Sequence, residues 1–447
     1  MRFWIVFLAA IPAFAASTDQ YRDTANKLID AALADDAGLK RFEYLCYRIG
    51  NRLSGSASLD KAIAWSLDEM KSAGLANVRT VPTKVPHWVR GRESAEMLEP
   101  LAKPLYMLGL GNSIATPPEG ITADVVSVSN FDELEKLGRR GVEGKIVLYD
   151  APFVNYRETV AYRSNGASRA ARLGAVAALV RSITPRSLRD PHTGAMQYAA
   201  NDPKIPTAAV SVEDAIWIHR LTQEGQRVRI HLTMEAHFEP DADSGDVVGE
   251  IIGREKPNEV VAIGGHIDSW DVGQGAHDDG GGIMAALEAA ALMKKMGLQP
   301  RRTIRVVFWT NEENGSRGGV AYRSWAAAQG TKHVAAIEMD GGAEKPIGFD
   351  LAFAKGRETA GFRERALSIS ELLKRIDAQK IQTGESEADV EPLMAQGVPV
   401  LALRTVMAHY WDYHHTQADT FDKIVPDEFR RCTAAFAVMS YVLADWP

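Results

Sequence analysis

Five groups of histidine and acidic residues lie in the second half of the chain, in types and spacing that could hold metal ions. The groups are His266 with Asp268, Asp278 with Asp279, Glu312 with Glu313, Asp340 alone, and His414 with His415. Imidazoles and carboxylates together form the mixed nitrogen and oxygen ligand set that suits Zn²⁺. One carboxylate can bridge two metal ions, and of two adjacent acids one can bind metal while the other acts as general base. The pattern indicates metal-assisted hydrolysis.

Each of these groups follows a segment that is predicted to be a strand. The predicted strands are Val247–Ile252, Val260–Gly264, Thr303–Trp309, Val334–Met339 and Pro399–Leu403, and the predicted helices include Gly282–Met296, Gly318–Ala328 and Ala360–Leu373. This alternation predicts an α/β fold with a mostly parallel, twisted sheet and helices on both faces. Ligands bind at the carboxyl ends of the strands in such sheets, so the five groups should meet there. Any one of these groups alone would be weak evidence, since an Asp-Asp pair before glycines, for example, is usually only a turn or a helix cap.

The chain between residues 116 and 239 carries its own strands and helices. Gly144–Tyr149 has the pattern of a buried strand, Ala167–Leu173 that of a helix, and Val228–Met234 that of a half-buried strand. We expect a compact α/β module here, inserted into a larger domain made of residues 17–115 and 240–447. The polar, turn-rich segment Pro240–Gly245 is predicted to be the exit from the module.

The first 16 residues predict the compartment. Arg2 precedes an apolar run from Phe3 to Phe14, and the small residues Ala15 and Ala16 follow. This is the pattern of a secretory signal peptide, so we expect a secreted or periplasmic protein. No later stretch is apolar enough over its length to cross a bilayer, so we expect no membrane span in the mature protein.

Composition adds two constraints. The formal net charge of −7 argues against nucleic acid as a partner, because phosphate binding needs a basic surface. The two cysteines, Cys46 and Cys432, could form one disulfide in an oxidising compartment or could be two buried thiols. The sequence alone leaves both options open.

The motifs resemble those of the co-catalytic zinc aminopeptidases, and most closely the carboxypeptidase Q-like branch of that family. The resemblance is carried by the segments Gly264–Asp271, Gly275–Gly282, Trp309–Glu313, Ile337–Asp340 and His414–Thr420. It implies a zinc-exopeptidase fold, a small peptide as substrate, and a homodimer. It also implies that residues 116–239 form a protease-associated domain that borders the cleft and limits substrate size.

The same resemblance implies two zinc ions per chain with five ligands. Asp278 would bridge the ions, His266 and Asp340 would complete one site, and Glu313 and His415 would complete the other.

Two further residues receive roles by resemblance. Glu312 would be the general base of peptide hydrolysis. Asp268 would accept a hydrogen bond from the far nitrogen of His266 and so fix the tautomer of that ligand.

Two other functions are compatible with the fold that the resemblance implies. One is a glutaminyl cyclase-like acyltransferase with a single zinc ion, and the other is a receptor-like relative that has lost catalysis. The complete set of five ligands with its bridging carboxylate favours a hydrolase over both.

The signal-peptide pattern generates a test of export. Cleavage should occur after Ala15 or Ala16, because small residues at this point are what signal peptidases accept. N-terminal sequencing of the exported protein should therefore begin at Ala16 or Ser17. An exported protein that still begins with Met1 would contradict the prediction.

Overall fold

The computed structural model describes residues 18–447, which form two eight-stranded sheets with helices packed against them. The predicted signal peptide at residues 1–16 lies outside the described residues and stays a prediction. The main helices are Arg22–Leu33, Ala37–Tyr44, Ala57–Ser72, Phe131–Val142, Tyr156–Arg172, Val212–Gln223, Gly281–Lys295, Arg317–Ala328, Phe362–Ser370 and Pro426–Asp445. Short helical turns are Leu45–Ile49, Ala276–Gly280, Glu312–Gly315, Glu371–Ile376, Glu391–Met394, Tyr410–Tyr413 and Phe421–Lys423.

The first sheet is built on the alternating strands and helices that the sequence predicts. Its spatial order is Ala76–Val89, His237–Ile251, Arg302–Trp309, Lys256–His266, Lys332–Glu338, Val400–Thr405, Pro346–Ala352 and Lys380–Thr383. The third to sixth of these strands run parallel to one another, whereas the strands that flank this central group pair antiparallel to it. The predicted parallel sheet is therefore confirmed for the centre, and its antiparallel borders are additional.

The register of the central strands aligns their carboxyl ends. His266 lies opposite Trp309 on one neighbouring strand, and Gly264 lies opposite Glu338 on the other. The polar residues that follow each strand therefore emerge at one edge of the sheet, as the sequence pattern predicts.

Helices cover both faces of the first sheet. Val261 and Ile263 pack into the core formed with helices Gly281–Lys295 and Pro426–Asp445, whereas Ala262 packs into the core on the opposite face. This alternation is the two-residue period of a strand that is buried on both sides.

Cys46 and Cys432 are buried as free thiols, so the disulfide option is not realised. Within residues 18–447, no helix has the length and apolarity needed to cross a membrane.

The segment Pro240–Gly245 differs from its prediction as a turn-rich exit. It lies within the long strand His237–Ile251, which pairs antiparallel with Ala76–Val89. The register shifts between Val85 and His87, and Pro240 lies opposite this shift. The ring nitrogen of Pro240 has no hydrogen to donate, so a break in the hydrogen-bond ladder at this point suits it. The polar composition misled the prediction because most side chains of this segment point into solvent.

The second sheet comprises five strands between residues 116 and 239, of which Ile121–Val128 was not predicted, together with three earlier ones. Its order is Lys103–Leu105, Glu93–Glu99, Arg229–Met234, Ile121–Val128, Ile146–Tyr149, Ala177–Arg181, Thr207–Val210 and Met107–Gly109. Strand pairing in this unit thus begins at Glu93, ahead of the expected module boundary at residue 116.

Arg52 fixes the glycine-rich loop that precedes the helix Gly281–Lys295. Its side chain is fully buried, and its guanidinium donates to four backbone carbonyl groups: those of Gly50, Ile267, Gln274 and Gly275, at 2.7–3.0 Å. Buried carbonyl groups in a loop have no ladder to satisfy them, so a five-donor guanidinium suits this position.

Arg52→Met should destabilise the fold because it leaves these carbonyl groups without donors. We expect the free energy of unfolding to fall by about 3 kcal/mol or more. Arg139→Met is the control, since Arg139 makes only an exposed ion pair with Glu143, and its effect should stay within about 0.5 kcal/mol. Urea denaturation followed by circular dichroism measures both, and equal midpoints for the two variants would contradict the role given to Arg52.

Candidate metal centre and active site

The carboxylate of Asp278 lies between two imidazoles. Its Oδ1 is 3.1 Å from Nε2 of His266, and its Oδ2 is 3.2 Å from Nε2 of His415. Asp340 completes the first side, with Oδ1 3.3 Å from the same nitrogen of His266. Glu313 completes the second side, with Oε2 3.1 Å from Nε2 of His415. The two oxygens of Asp278 therefore belong to two adjoining sets of ligand atoms.

Both histidines have their other ring nitrogen directed at a backbone carbonyl. Nδ1 of His266 lies 3.0 Å from the carbonyl oxygen of Asp268, and Nδ1 of His415 lies 3.3 Å from that of Thr193. A carbonyl only accepts, so Nδ1 carries the proton in the neutral ring of His266 and Nε2 keeps its lone pair. The carbonyl of Thr193 favours the same tautomer in His415, where Nη1 of Arg163 also lies 3.4 Å from Nδ1. Each lone pair then faces carboxylate oxygens, which are acceptors too. A metal cation between them satisfies both partners, as a second ring proton would in its absence, and the mixed donor set fits zinc.

Unpartnered oxygens at the same point support this fit. Oδ2 of Asp278 and Oε1 of Glu313 are buried without a hydrogen-bond donor. The neighbouring Asp279 differs, since its carboxylate accepts from the backbone N–H groups of His266 at 3.1 Å and Gly282 at 2.9 Å. Asp279 is thus committed to the backbone, while Asp278 is free to bind metal.

His414 also approaches the bridging carboxylate. Its Nε2 lies 3.7 Å from Oδ2 of Asp278, farther than Nε2 of His415 at 3.2 Å. The contact with Glu313 is made by His415, and the two imidazole rings stack at a centroid distance of 3.6 Å. The geometry therefore favours His415 as the ligand and His414 as its packing partner.

Glu312 lines the cavity beside the candidate metal ligands without joining their contacts. Burial raises the pKa of its carboxyl group to about 7, with His266 opposing the rise and Asp340 and Asp268 reinforcing it. Burial lowers the pKa of His266, but the carboxylates of Asp340 and Asp278 outweigh this and raise it well above the ordinary value. A cation among these acids would lower the pKa of their carboxyl groups and favour the ionised form, which is the form that a general base needs.

Asp268 makes a different contact from the expected one. The carboxylate lies 3.8 Å from Nδ1 of His266, whereas the backbone carbonyl of Asp268 accepts from that nitrogen. The carboxylate instead accepts from the backbone N–H groups of Glu312 at 3.0 Å and Glu313 at 3.3 Å. Asp268 therefore positions the turn that carries both glutamates, and the tautomer of His266 is set by the backbone.

The structure brings all seven predicted site residues together. Asp278, Glu312, Glu313, Asp340 and His415 line one cavity, and His266 and Asp268 lie fully buried directly behind it.

Sequence reasoning missed two positioning residues. The carboxylate of Asp419 accepts from the N–H groups of His277 at 2.7 Å and Asp278 at 3.1 Å, and so holds the bridging residue. Its place within the His414–Thr420 motif was an available signal. Thr193, from the loop before the strand Thr207–Val210, contacts His415 through its backbone alone: its N–H donates to the carbonyl of His415 at 3.0 Å. A backbone contact leaves no signal in the sequence.

Comparison with known proteins identifies the family. Peptidase family M28 matches residues 246–440. Carboxypeptidase Q of Xenopus laevis is 43% identical over 428 residues, which cover 95% of this chain and 90% of that protein. The chain belongs to peptidase family M28. A crystal structure of an M28 peptidase precursor from Shewanella amazonensis is 34% identical, with a TM-score of 0.91 over 96% of this chain and 97% of that one.

A more distant structure shares the M28 fold. The zinc aminopeptidase of Bacillus subtilis has a TM-score of 0.66 at 18% identity, over 94% of this chain and 97% of that one. The present M28 peptidase is a metallo-exopeptidase of the carboxypeptidase Q-like branch. This confirms the predicted α/β zinc-exopeptidase fold and the predicted hydrolase, in preference to the acyltransferase and the non-catalytic receptor.

The contacts of Asp268 generate a test that separates it from the metal ligands. Asp268→Ala should lower the rate of dipeptide hydrolysis by about 10-fold to 100-fold, because two backbone N–H groups lose their acceptor and the glutamate turn loosens. Ser54→Ala is the comparison: its hydroxyl lies 3.4 Å from the same carboxylate and accepts from Nδ2 of Asn311 at 2.9 Å, but it binds neither backbone N–H group of the glutamate turn. It should cost less than about 3-fold. Steady-state kinetics measures both, and a normal rate in Asp268→Ala would refute the positioning role.

Proposed function

We propose that this M28 peptidase holds two zinc ions per chain, bridged by the carboxylate of Asp278. His266 and Asp340 complete one site, and Glu313 and His415 complete the other. The proposal rests above all on one observation: the two oxygens of Asp278 face the Nε2 lone pairs of two different histidines. A single ion could bind between Asp278 and only one of the two histidines, and the other histidine would face the carboxylate without a metal ion between them.

In this proposal Glu312 is the general base. Zinc, when bound, supplies Lewis acidity that polarises a carbonyl group and makes water acidic near neutral pH. Glu312 takes the proton from the attacking water and returns it to the leaving amine. Asp268 holds the backbone of Glu312, so the carboxylate meets the water from a fixed direction.

The substrate in this proposal is a dipeptide or short peptide that enters the cavity from its open side. Tyr156 and Arg157, at the start of the helix Tyr156–Arg172, line that cavity. This helix packs on the second sheet, so the unit built on that sheet limits the space for substrate. This supports the interpretation of residues 116–239 as an inserted protease-associated module. Secretion and a homodimer remain expectations from the sequence and its resemblance.

Two isosteric variants test the roles of the adjacent glutamates. Glu312→Gln removes the base and keeps its shape, so dipeptide hydrolysis should fall by about 10²-fold to 10⁴-fold while zinc stays near two ions per chain. Glu313→Gln replaces a ligand by a neutral amide, so it should lose zinc as well as activity.

The measurements are zinc content by elemental analysis and turnover of a free dipeptide, on wild type and both variants. Chelation should abolish the activity of the wild type, and added Zn²⁺ should restore it. One zinc or none in active wild type would overturn the two-ion proposal. Zinc loss in Glu312→Gln but not in Glu313→Gln would show that the two roles are reversed.

A further inference from the structure

Arg163 is a buried cation without an anionic partner. Its side chain is 7% exposed, and it forms no ion pair with a carboxylate within residues 18–447. Nη1 donates to the carbonyl oxygen of Thr193 at 3.3 Å, Nη2 donates to the hydroxyl oxygen of Tyr156 at 2.7 Å, and Nε has no partner. Burying a charge is costly unless it is paired, so this guanidinium needs an anion that the chain itself does not supply.

This guanidinium lines the active-site cavity. The cavity measures about 410 Å³, and Arg163 shares it with Glu312, Glu313 and Asp340. Nη1 of Arg163 lies 3.4 Å from Nδ1 of His415, whose Nε2 faces the metal site. The unpaired positive charge is therefore one imidazole ring away from the catalytic centre.

The other two arginines of the cavity are already neutralised. Arg157 forms an ion pair with Glu385. Arg404 donates to Asp350 at 2.8 Å and to Glu387 at 2.9 Å. An anionic group of a substrate would therefore displace an existing partner at either of these sites, but not at Arg163.

Tyr156 adds a second donor beside the guanidinium. Its oxygen accepts from Arg163, so its hydroxyl proton is directed elsewhere, and the residue lines the cavity. Its ring stacks on that of Trp411 at a centroid distance of 4.7 Å, which holds the hydroxyl in place. A guanidinium and a phenol side by side form a donor pair that matches the two oxygens of a carboxylate.

We propose that Arg163 and Tyr156 bind the free α-carboxylate of the residue on the C-terminal side of the scissile bond. The inference rests on the proposed function, because it requires the scissile carbonyl to lie between Glu312 and His415. In a dipeptide, the α-carboxylate carbon lies only about 4 Å from the scissile carbonyl carbon, so one residue reaches from the centre to Arg163. The pair would then select peptides that have a single residue after the cleaved bond.

Three substrates test the proposal. Alanyl-leucine carries the α-carboxylate, alanyl-leucinamide lacks it, and alanyl-isoglutamine has an α-amide with a side-chain carboxylate instead. Wild type should prefer alanyl-leucine over both amides by about 10²-fold in kcat/KM, because the amides leave Arg163 buried and unpaired. Arg163→Met should lose this preference by lowering kcat/KM for alanyl-leucine alone. Arg163→Lys should recover part of the preference, since it keeps the charge.

Two further variants keep the result interpretable. Tyr156→Phe keeps the guanidinium and removes one donor, so it should reduce the preference by about 10-fold even if Arg163→Met fails to fold. Arg172→Met, on the same helix but exposed and paired with Asp202, should leave the preference unchanged. Zinc content is measured for every variant and should stay at the wild-type value.

Three outcomes would overturn the assignment. Equal hydrolysis of alanyl-leucine and alanyl-leucinamide by wild type would show that no α-carboxylate is recognised. A preference for alanyl-isoglutamine would show that the pair reads a side-chain carboxylate. An equal loss on all substrates in Arg163→Met would show that Arg163 acts only through His415. By contrast, a zinc-loaded wild type that cleaves none of the three would count against the proposed function itself.

Discussion

The carboxylate of Asp278 is shared by two histidines, and this contact constrains the rest of the site. Both ligand histidines direct Nδ1 at a backbone carbonyl, so both present a lone pair to carboxylate oxygens. Acceptors that face each other in a buried place need a metal ion or a proton between them, and a metal ion can serve several of them at once. The fold must therefore hold the loop that carries Asp278 at a fixed position relative to the two chain segments that carry His266 and His415.

The loop of Asp278 is held by buried polar contacts to its backbone. Arg52 donates to the carbonyl groups of Gln274 and Gly275, and Asp419 accepts from the N–H groups of His277 and Asp278. These contacts join the N-terminal helices and the segment after His415 to one turn. Rigid placement of this kind is what a metal site needs, since its ligands must be in position before the ion binds.

The second sheet contributes to the site as well as bordering it. The backbone of Thr193 holds His415 by both its N–H and its carbonyl group, and the same carbonyl accepts from Arg163. One element thus joins a metal-ligand candidate to a cation that faces the substrate cavity. This gives a physical reason why the two sheets should act as one enzyme: the orientation of His415 depends on both.

The sequence by itself determined the central sheet and the polar groups that follow its strands, because strand periodicity is a local feature of the chain. The choice of seven residues within those groups came from the family resemblance and stays a prediction. It did not reveal the strand Ala76–Val89 or the pairing of Pro240–Gly245, since exposed ribbons carry polar side chains like those of loops. Only the tertiary structure decided that the Asp268 carboxylate binds the glutamate turn and that Arg163 lacks an anion. Such contacts join residues that are distant in the chain, and many of them use backbone groups. Because backbone groups are alike in nearly every residue, the sequence carries no sign of these contacts.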